Sequence, residues 1–148
     1  MAGTTNKYEG LADCSCYMIR RSARKITQFY EQKLRIAGIK PTQFTILATL
    51  ANAGSITITD LADRLTLERT SLTRNLNVLE RNGWVAIEAG EKDSRQRFVS
   101  LTKDGFSRLD LAIPHWQEAQ AALNKEIGGN TMNALRDTLK NITKGLER

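Results

Sequence analysis

The chain has 148 residues, 41% of them hydrophobic, with a formal charge of +6, a pI near 9.6 and a mean hydropathy of −0.40. That length suits one domain, or one domain with a dimerisation appendage, and a modest core. No apolar run approaches a membrane span, and the N-terminus lacks a basic start followed by an apolar core, so membrane residence and secretion are not expected and a cytoplasmic protein is. The basic balance favours a polyanionic partner, because lysine and arginine release counterions from phosphate backbones.

Residues 1 to about 9 are small and polar and read as a loose arm. A long first helix is expected from about Gly10 to Ala37, with Leu11, Tyr17, Met18, Ile26, Phe29, Tyr30 and Leu34 as its apolar set and Gly38 as its stop. Seven basic residues between positions 20 and 40 (Arg20, Arg21, Arg24, Lys25, Lys33, Arg35, Lys40) face one acid, Glu31; they are a solvated face or charge directed at DNA. Pro41 opens a second helix that Gly54 ends, with Phe44, Leu47 and Leu50 as core candidates. Thr42 and Gln43 sit at its start, where a helix end can hold a phosphate. Ser55 and Ile56 suggest a brief strand.

Residues 57 to 105 organise the rest. Thr57 with Asp60 three residues later starts a short helix carrying Leu61, Ala62 and Leu65. After a break at Thr66 and Leu67, a second helix is expected from about Glu68 to Asn82, with Leu72, Leu76 and Leu79 inward and Gly83 as its C-cap. Its other face carries Arg69, Thr70, Ser71, Arg74, Asn75 and Asn77. Short polar side chains and a few long donors are what a helix needs to read base edges in a major groove, although a solvated face has the same composition. Two apolar runs, 84–87 and 98–101, flank a polar tip containing Gly90, Lys92, Arg95 and Arg97. That is a hairpin with a basic tip, a wing suited to the electronegative minor groove.

Thr102 caps a further helix expected to run to about Ile127, with a stripe at Leu109, Ile113, Trp116, Ala119 and Leu123 and a kink at Pro114. Gly128-Gly129 breaks it. Asn130 or Thr131 then caps a last helix with Met132, Leu135, Leu139, Ile142 and Leu146 at 3-4 spacing, a stripe that cannot bury itself alone. Catalytic patterns are missing: there is no phosphate-cradling Gly-rich loop, no evident carboxylate pair, and the single histidine, His115, would have to meet Cys16 in space. No enzyme, no cofactor and no metal site are expected; a structural zinc needs more cysteine or histidine.

The run Asp93-Ser-Arg95-Gln-Arg-Phe-Val99-Ser-Leu101-Thr102-Lys-Asp-Gly105 fills every defined position of the wing signature D-x-R-x-x-x-V-x-L-T-x-x-G. With Asp60-Leu61-Ala62, Ser71-Leu-Thr73-Arg74 and Leu79-Glu80-Arg-Asn-Gly83-Trp-Val85 upstream, nearly the whole chain resembles the MarR family. The resemblance implies a mainly α (α+β) fold: a winged helix-turn-helix domain over 39–102, flanked by dimerisation helices in 1–38 and 103–148. It implies a homodimeric transcription regulator, a repressor on a pseudo-palindromic double-stranded operator, with the two reading helices one turn of DNA apart. In that family the Asp of D-x-R braces the wing and the Arg enters the minor groove, roles that fall on Asp93 and Arg95; Lys92 and Arg97 are expected to hold phosphates, or Arg97 to pair with a carboxylate. Thr70, Ser71, Arg74 and Asn75 are the expected base readers, with Asn77 and Arg69 beside them and Arg74 on a guanine edge or a phosphate. A winged helix that binds protein instead of DNA is the competing reading.

Two effector modes are open. Cys14-Ser15-Cys16 lies in the first turn of the first helix, which favours thiolate, so the pair is a candidate redox or metalloid sensor or, alternatively, a buried small hydrophobe and a bystander. The stretch from Cys16 to Tyr30 resembles the organic-hydroperoxide regulators of the family, in which a lone cysteine senses peroxide and a tyrosine fourteen residues on hydrogen-bonds it; their second tyrosine falls near Lys40-Pro41-Thr42 and is absent here. The resemblance also implies a small-molecule pocket, with Tyr17, Phe44, His115 and Trp116 as candidate lining, or else as core.

Overall fold

A computed structural model describes residues 6–147. Six helices and three short strands follow in the order α1 (Ser15–Leu34), α2 (Pro41–Ala53), β1 (Ile56–Thr57), α3 (Ile58–Leu65), α4 (Arg69–Arg81), β2 (Val85–Ala89), β3 (Arg97–Leu101), α5 (Lys103–Ile127) and α6 (Gly129–Leu146). Among the described residues no helix is long and apolar enough to cross a membrane.

The first helix is shorter than its apolar pattern suggested. Gly10 takes a left-handed backbone, a 3-10 turn covers Leu11–Asp13, and Cys14 becomes the N-cap. A second 3-10 turn, Arg35–Ala37, tightens its far end before Gly38 at φ 68°. Pro41 stands at the first position of α2 as expected, because its missing N–H is not needed there. The Thr57 hydroxyl accepts the Asp60 N–H at 3.0 Å and so starts α3.

Leu72, Leu76 and Leu79 are fully buried in one core with Leu61, Ile46, Leu47, Leu50, Leu34 and Val99. Each such leucine is stabilised by roughly 1.5–3 kcal/mol on leaving water, so the stripe fixes the rotation of α4 and thereby which residues it shows to solvent.

The sheet has the order β1-β3-β2 and is antiparallel throughout. Val99 sits at its centre, opposite Ile87 on one side and Ile56 on the other. Trp84 lies just before β2, and its carbonyl accepts the Thr102 N–H at 3.1 Å, continuing the register of the β2–β3 pair by one residue. Thr102 also donates its hydroxyl to the Gly83 carbonyl and accepts the Gly105 N–H at 3.0 Å. The end of α4, the end of the wing and the start of α5 are thus tied at one joint.

Helix α5 remains continuous through Pro114 and packs on α1 and α2. Arg108 on α5 donates to the Ala37 carbonyl at 2.7 Å, and its guanidinium lies 4.9 Å from the centre of the Trp84 ring. One side chain therefore links the base of α1, α5 and the turn after α4. The last helix begins at Gly129 with Gly128 as its cap at φ 92°, not at Asn130 or Thr131. Met132 is buried, but Leu139, Ile142 and Leu146 stay exposed, as do Tyr17, Met18 and Ile19 on α1.

Candidate nucleic-acid interface

Helix α4 presents an exposed polar face formed by Arg69, Thr70, Thr73, Arg74 and Asn77. The i, i+3, i+4, i+7 spacing puts these on the side opposite the buried leucines. Thr73 belongs to this face and was missed, although helical spacing from Thr70 would have found it. Ser71 and Asn75 are rotated one step toward the body and are only partly exposed. The Asn75 amide donates to the Ser71 backbone carbonyl at 2.9 Å, so the Asn75 side chain is engaged within its own helix.

At the wing, one Asp93 carboxylate oxygen accepts both the Arg95 backbone N–H at 3.0 Å and the Arg95 Nε–H at 3.2 Å. This is the bracing expected of Asp93. It holds the base of the Arg95 side chain while leaving 90% of that side chain exposed. Gly90 permits the tip to close: a Cβ there would lie 2.7 Å from the Asp93 carbonyl. The Gly90 N–H donates to the Gln96 carbonyl at 2.9 Å and Gln96 N–H to the Asp93 carbonyl at 3.1 Å. Lys92 is exposed and faces a separate cleft with Glu88 and Glu91. Arg97, at the start of β3, has no ion-pair partner among the described residues, so the carboxylate pairing considered for it is not formed.

The start of α2 divides its two candidates. Thr42 is exposed, whereas Gln43 is buried and its Oε1 accepts the Lys40 N–H at 3.0 Å. Gln43 is a capping residue of α2 and is not available to a phosphate.

Behind this surface, α1, α2 and α5 enclose a cleft of about 470 Å³ lined by Ile26, Tyr30, Phe44, Ala48, Asn52 and Trp116, among others. Phe44 and Trp116 stack with ring centroids 5.8 Å apart and an interplanar angle of 20°. Tyr17 and His115, the other two candidates for the lining, do not reach it. Tyr17 is half exposed near the start of α1, and His115 is partly exposed on α5.

Tyr30 donates to the Gln120 side chain across the α1–α5 contact. Burial pushes its hydroxyl above the usual phenol range, partly opposed by the positive charge of Arg136. Cys16 and Tyr30 share the single helix α1, in which fourteen residues span about 21 Å. They cannot meet within one chain. Cys14 and Cys16 are both free thiols and exposed on the single chain. Among the described residues no His, Cys, Asp or Glu cluster could hold a metal ion.

The MarR family model matches residues 37–96, which span α2 to the wing tip. A Bacillus subtilis HTH-type transcriptional regulator, YwoH, is 34% identical over 94 residues, covering 64% of this chain and 68% of that protein. The organic hydroperoxide resistance transcriptional regulator of B. subtilis is 29% identical over 98 residues, covering 66% and 67%. Among solved structures, the M. tuberculosis transcriptional regulator MosR in complex with DNA superposes with a TM-score of 0.82 at 37% identity, covering 90% of this chain and 96% of that one. The fold, the braced wing arginine and these relatives agree: the chain belongs to the MarR family and is a winged helix-turn-helix, DNA-binding transcriptional regulator.

Proposed function

We propose that the protein acts in the cytoplasm as a homodimeric repressor on a pseudo-palindromic operator, without catalytic activity of its own. The observation that carries this reading is the pairing, on one rigid domain, of the polar face of α4 with an exposed, braced Arg95. The face enters a major groove, with Thr70, Thr73, Arg74 and Asn77 nearest the bases, and Arg95 enters the adjoining minor groove. Thr42, at the exposed start of α2, is placed to meet the backbone. Residues 39–102 are the reading head. Residues 1–38 and 103–148 form the dimerisation region, where the exposed apolar side chains of α1 and α6 become buried against a second copy.

Two features support release by an effector. Cys14 and Cys16 are exposed at the start of α1, so a hydroperoxide can be reduced to its alcohol while the thiolate takes one oxygen as sulfenic acid. Any Cys16–Tyr30 hydrogen bond then joins two subunits, because the helix keeps the two apart within one. The stacked Phe44–Trp116 wall favours a planar apolar small molecule as a second route. Either event shifts the spacing of the heads against a groove repeat of about 34 Å.

The test is fluorescence anisotropy on duplex DNA from upstream of its own gene. Binding should weaken steeply with salt, by about 0.9 in log K per log salt for each phosphate neutralised. Cys16→Ser is expected to bind as the parent does and to lose its release by hydroperoxide. An unchanged oxidant response would remove the thiol route and leave the aromatic cleft. A complete lack of salt-dependent duplex affinity would overturn the DNA reading in favour of a protein partner.

A further inference from the structure

Between the reading helix and the wing lies a cleft of about 340 Å³ whose wall includes Thr59 and Asp60 from the start of α3, Arg69 from the start of α4, and Arg95 and Arg97 from the wing. Three arginines thus line one space from two separate elements. Arg95 is neutralised in part by Asp93, but among the described residues neither Arg69 nor Arg97 has an ion-pair partner. Arg69 also stands at the first position of α4, where the helix dipole disfavours a cation, and Glu68 supplies no side-chain cap there. Concentrating unpaired arginines at such a place is unfavourable unless an anion joins them.

The position of the cleft says which anion. When a helix fills a major groove and a wing enters the minor groove beside it, one sugar-phosphate strand must run between the two elements, because that strand is the boundary of the two grooves. Here that path is the arginine-lined cleft. We propose that it is a clamp for a single backbone phosphodiester in each operator half-site, gripped by Arg69 and Arg97, with the Thr59 hydroxyl as a further donor. This inference rests on the DNA reading above. Asp60, the one carboxylate on the wall, discourages a small free anion, whereas an operator strand is held in place by its other contacts. Arg97 lies outside the defined positions of the wing signature, so the clamp adds register without base information.

The test uses the full-length chain and an operator that it selects from a random duplex library. Each phosphate of that operator is replaced in turn by an uncharged methylphosphonate. For the parent, neutralising the one phosphate between the helix-filled and wing-filled grooves is expected to weaken binding about tenfold, the size of one charge-assisted contact. In Arg97→Gln, where Arg69 still contacts that phosphate, the same replacement should cost only about threefold, while replacements elsewhere cost what they do in the parent. Arg97→Gln should also lower affinity for operator and random duplex alike and reduce the salt slope by about two, one phosphate for each half-site. A methylphosphonate effect undiminished in Arg97→Gln, or a variant that changes sequence preference and not the salt slope, would overturn the clamp. Inorganic phosphate that competes with operator beyond chloride of matched ionic strength would assign the cleft to a free anion instead. If the parent selects no duplex at all, the failure belongs to the DNA reading and not to the clamp alone.

Discussion

Arg95→Ala is expected to weaken operator binding by roughly 30-fold to 20,000-fold, because a specific groove contact is worth about 1–3 kcal/mol and the proposed dimer would lose two of them. The size follows from what the side chain does in the free protein. It is 90% exposed and its one partner is Asp93, at 3.2 Å. An exposed pair of that kind contributes about 0–1 kcal/mol to folding, so the melting temperature should barely move while affinity collapses. Asp93→Ala should fall between the parent and Arg95→Ala: the guanidinium remains, but the carboxylate no longer fixes the wing backbone at Arg95 or the direction of its Nε–H. Arg95→Lys restores the charge without the planar fork that fits a narrow groove, and should recover salt dependence more than specificity. Anisotropy titrations at one fixed salt concentration, paired with thermal melts, separate these outcomes. An Arg95→Ala protein that binds as tightly as the parent would remove the wing from the interface.

Much of this was legible in the residues, and what was not has identifiable causes. The leucine stripe of α4 and the wing hairpin follow from periodicity, since burial of three leucines and one valine leaves one consistent rotation and register. Which polar residues of α4 face outward follows from the same rotation, yet composition drew attention to Ser71 and Asn75 and away from Thr73. Gln43 was misjudged for a different reason: a glutamine at a helix start suits a phosphate, but it also suits its own cap, and here the backbone N–H of Lys40 is nearer. Tyr17 and His115 missed the cleft because long helices carry aromatic residues on faces that only packing against α2 and α5 can assign. Arg108 could not have been singled out at all. Its two partners, Ala37 and Trp84, are brought to it by tertiary structure from opposite directions along the chain. The first helix illustrates a limit of periodicity itself: apolar spacing persists through Leu11, but the left-handed Gly10 and the cap at Cys14 delay the helix to Ser15.

Gly105→Ala is expected to destabilise the fold by about 2–4 kcal/mol, the sum of an overpacking cost and a lost N-cap. A Cβ at position 105 would lie 2.0 Å from the Trp84 carbonyl oxygen and 3.1 Å from a Leu101 methyl. The obstacle is backbone, and it is held: the same carbonyl accepts the Thr102 N–H, and Thr102 in turn reaches the Gly83 carbonyl and caps α5. Relief requires the first turn of α5 to retreat or the turn after α4 to open, and either movement breaks that set of bonds. For a chain of this length the loss corresponds to a fall in melting temperature of roughly 5–15 °C. Gly145→Ala is the matched control, since nothing lies within 4 Å of a Cβ there and the site is helical, so its melting temperature should be unchanged or slightly higher. The terminal glycine of the wing signature is therefore a packing requirement. It also carries a functional consequence, because the joint it permits connects the end of α4 to α5, the helix we assign to the proposed dimerisation region. Gly105→Ala protein kept folded at low temperature should still bind DNA, but with reduced preference for operator over random duplex, as the two heads of the proposed dimer would lose their fixed spacing. A variant that melts within about 2 °C of the parent would show that the joint yields without cost, and would remove this account of why the signature ends in glycine.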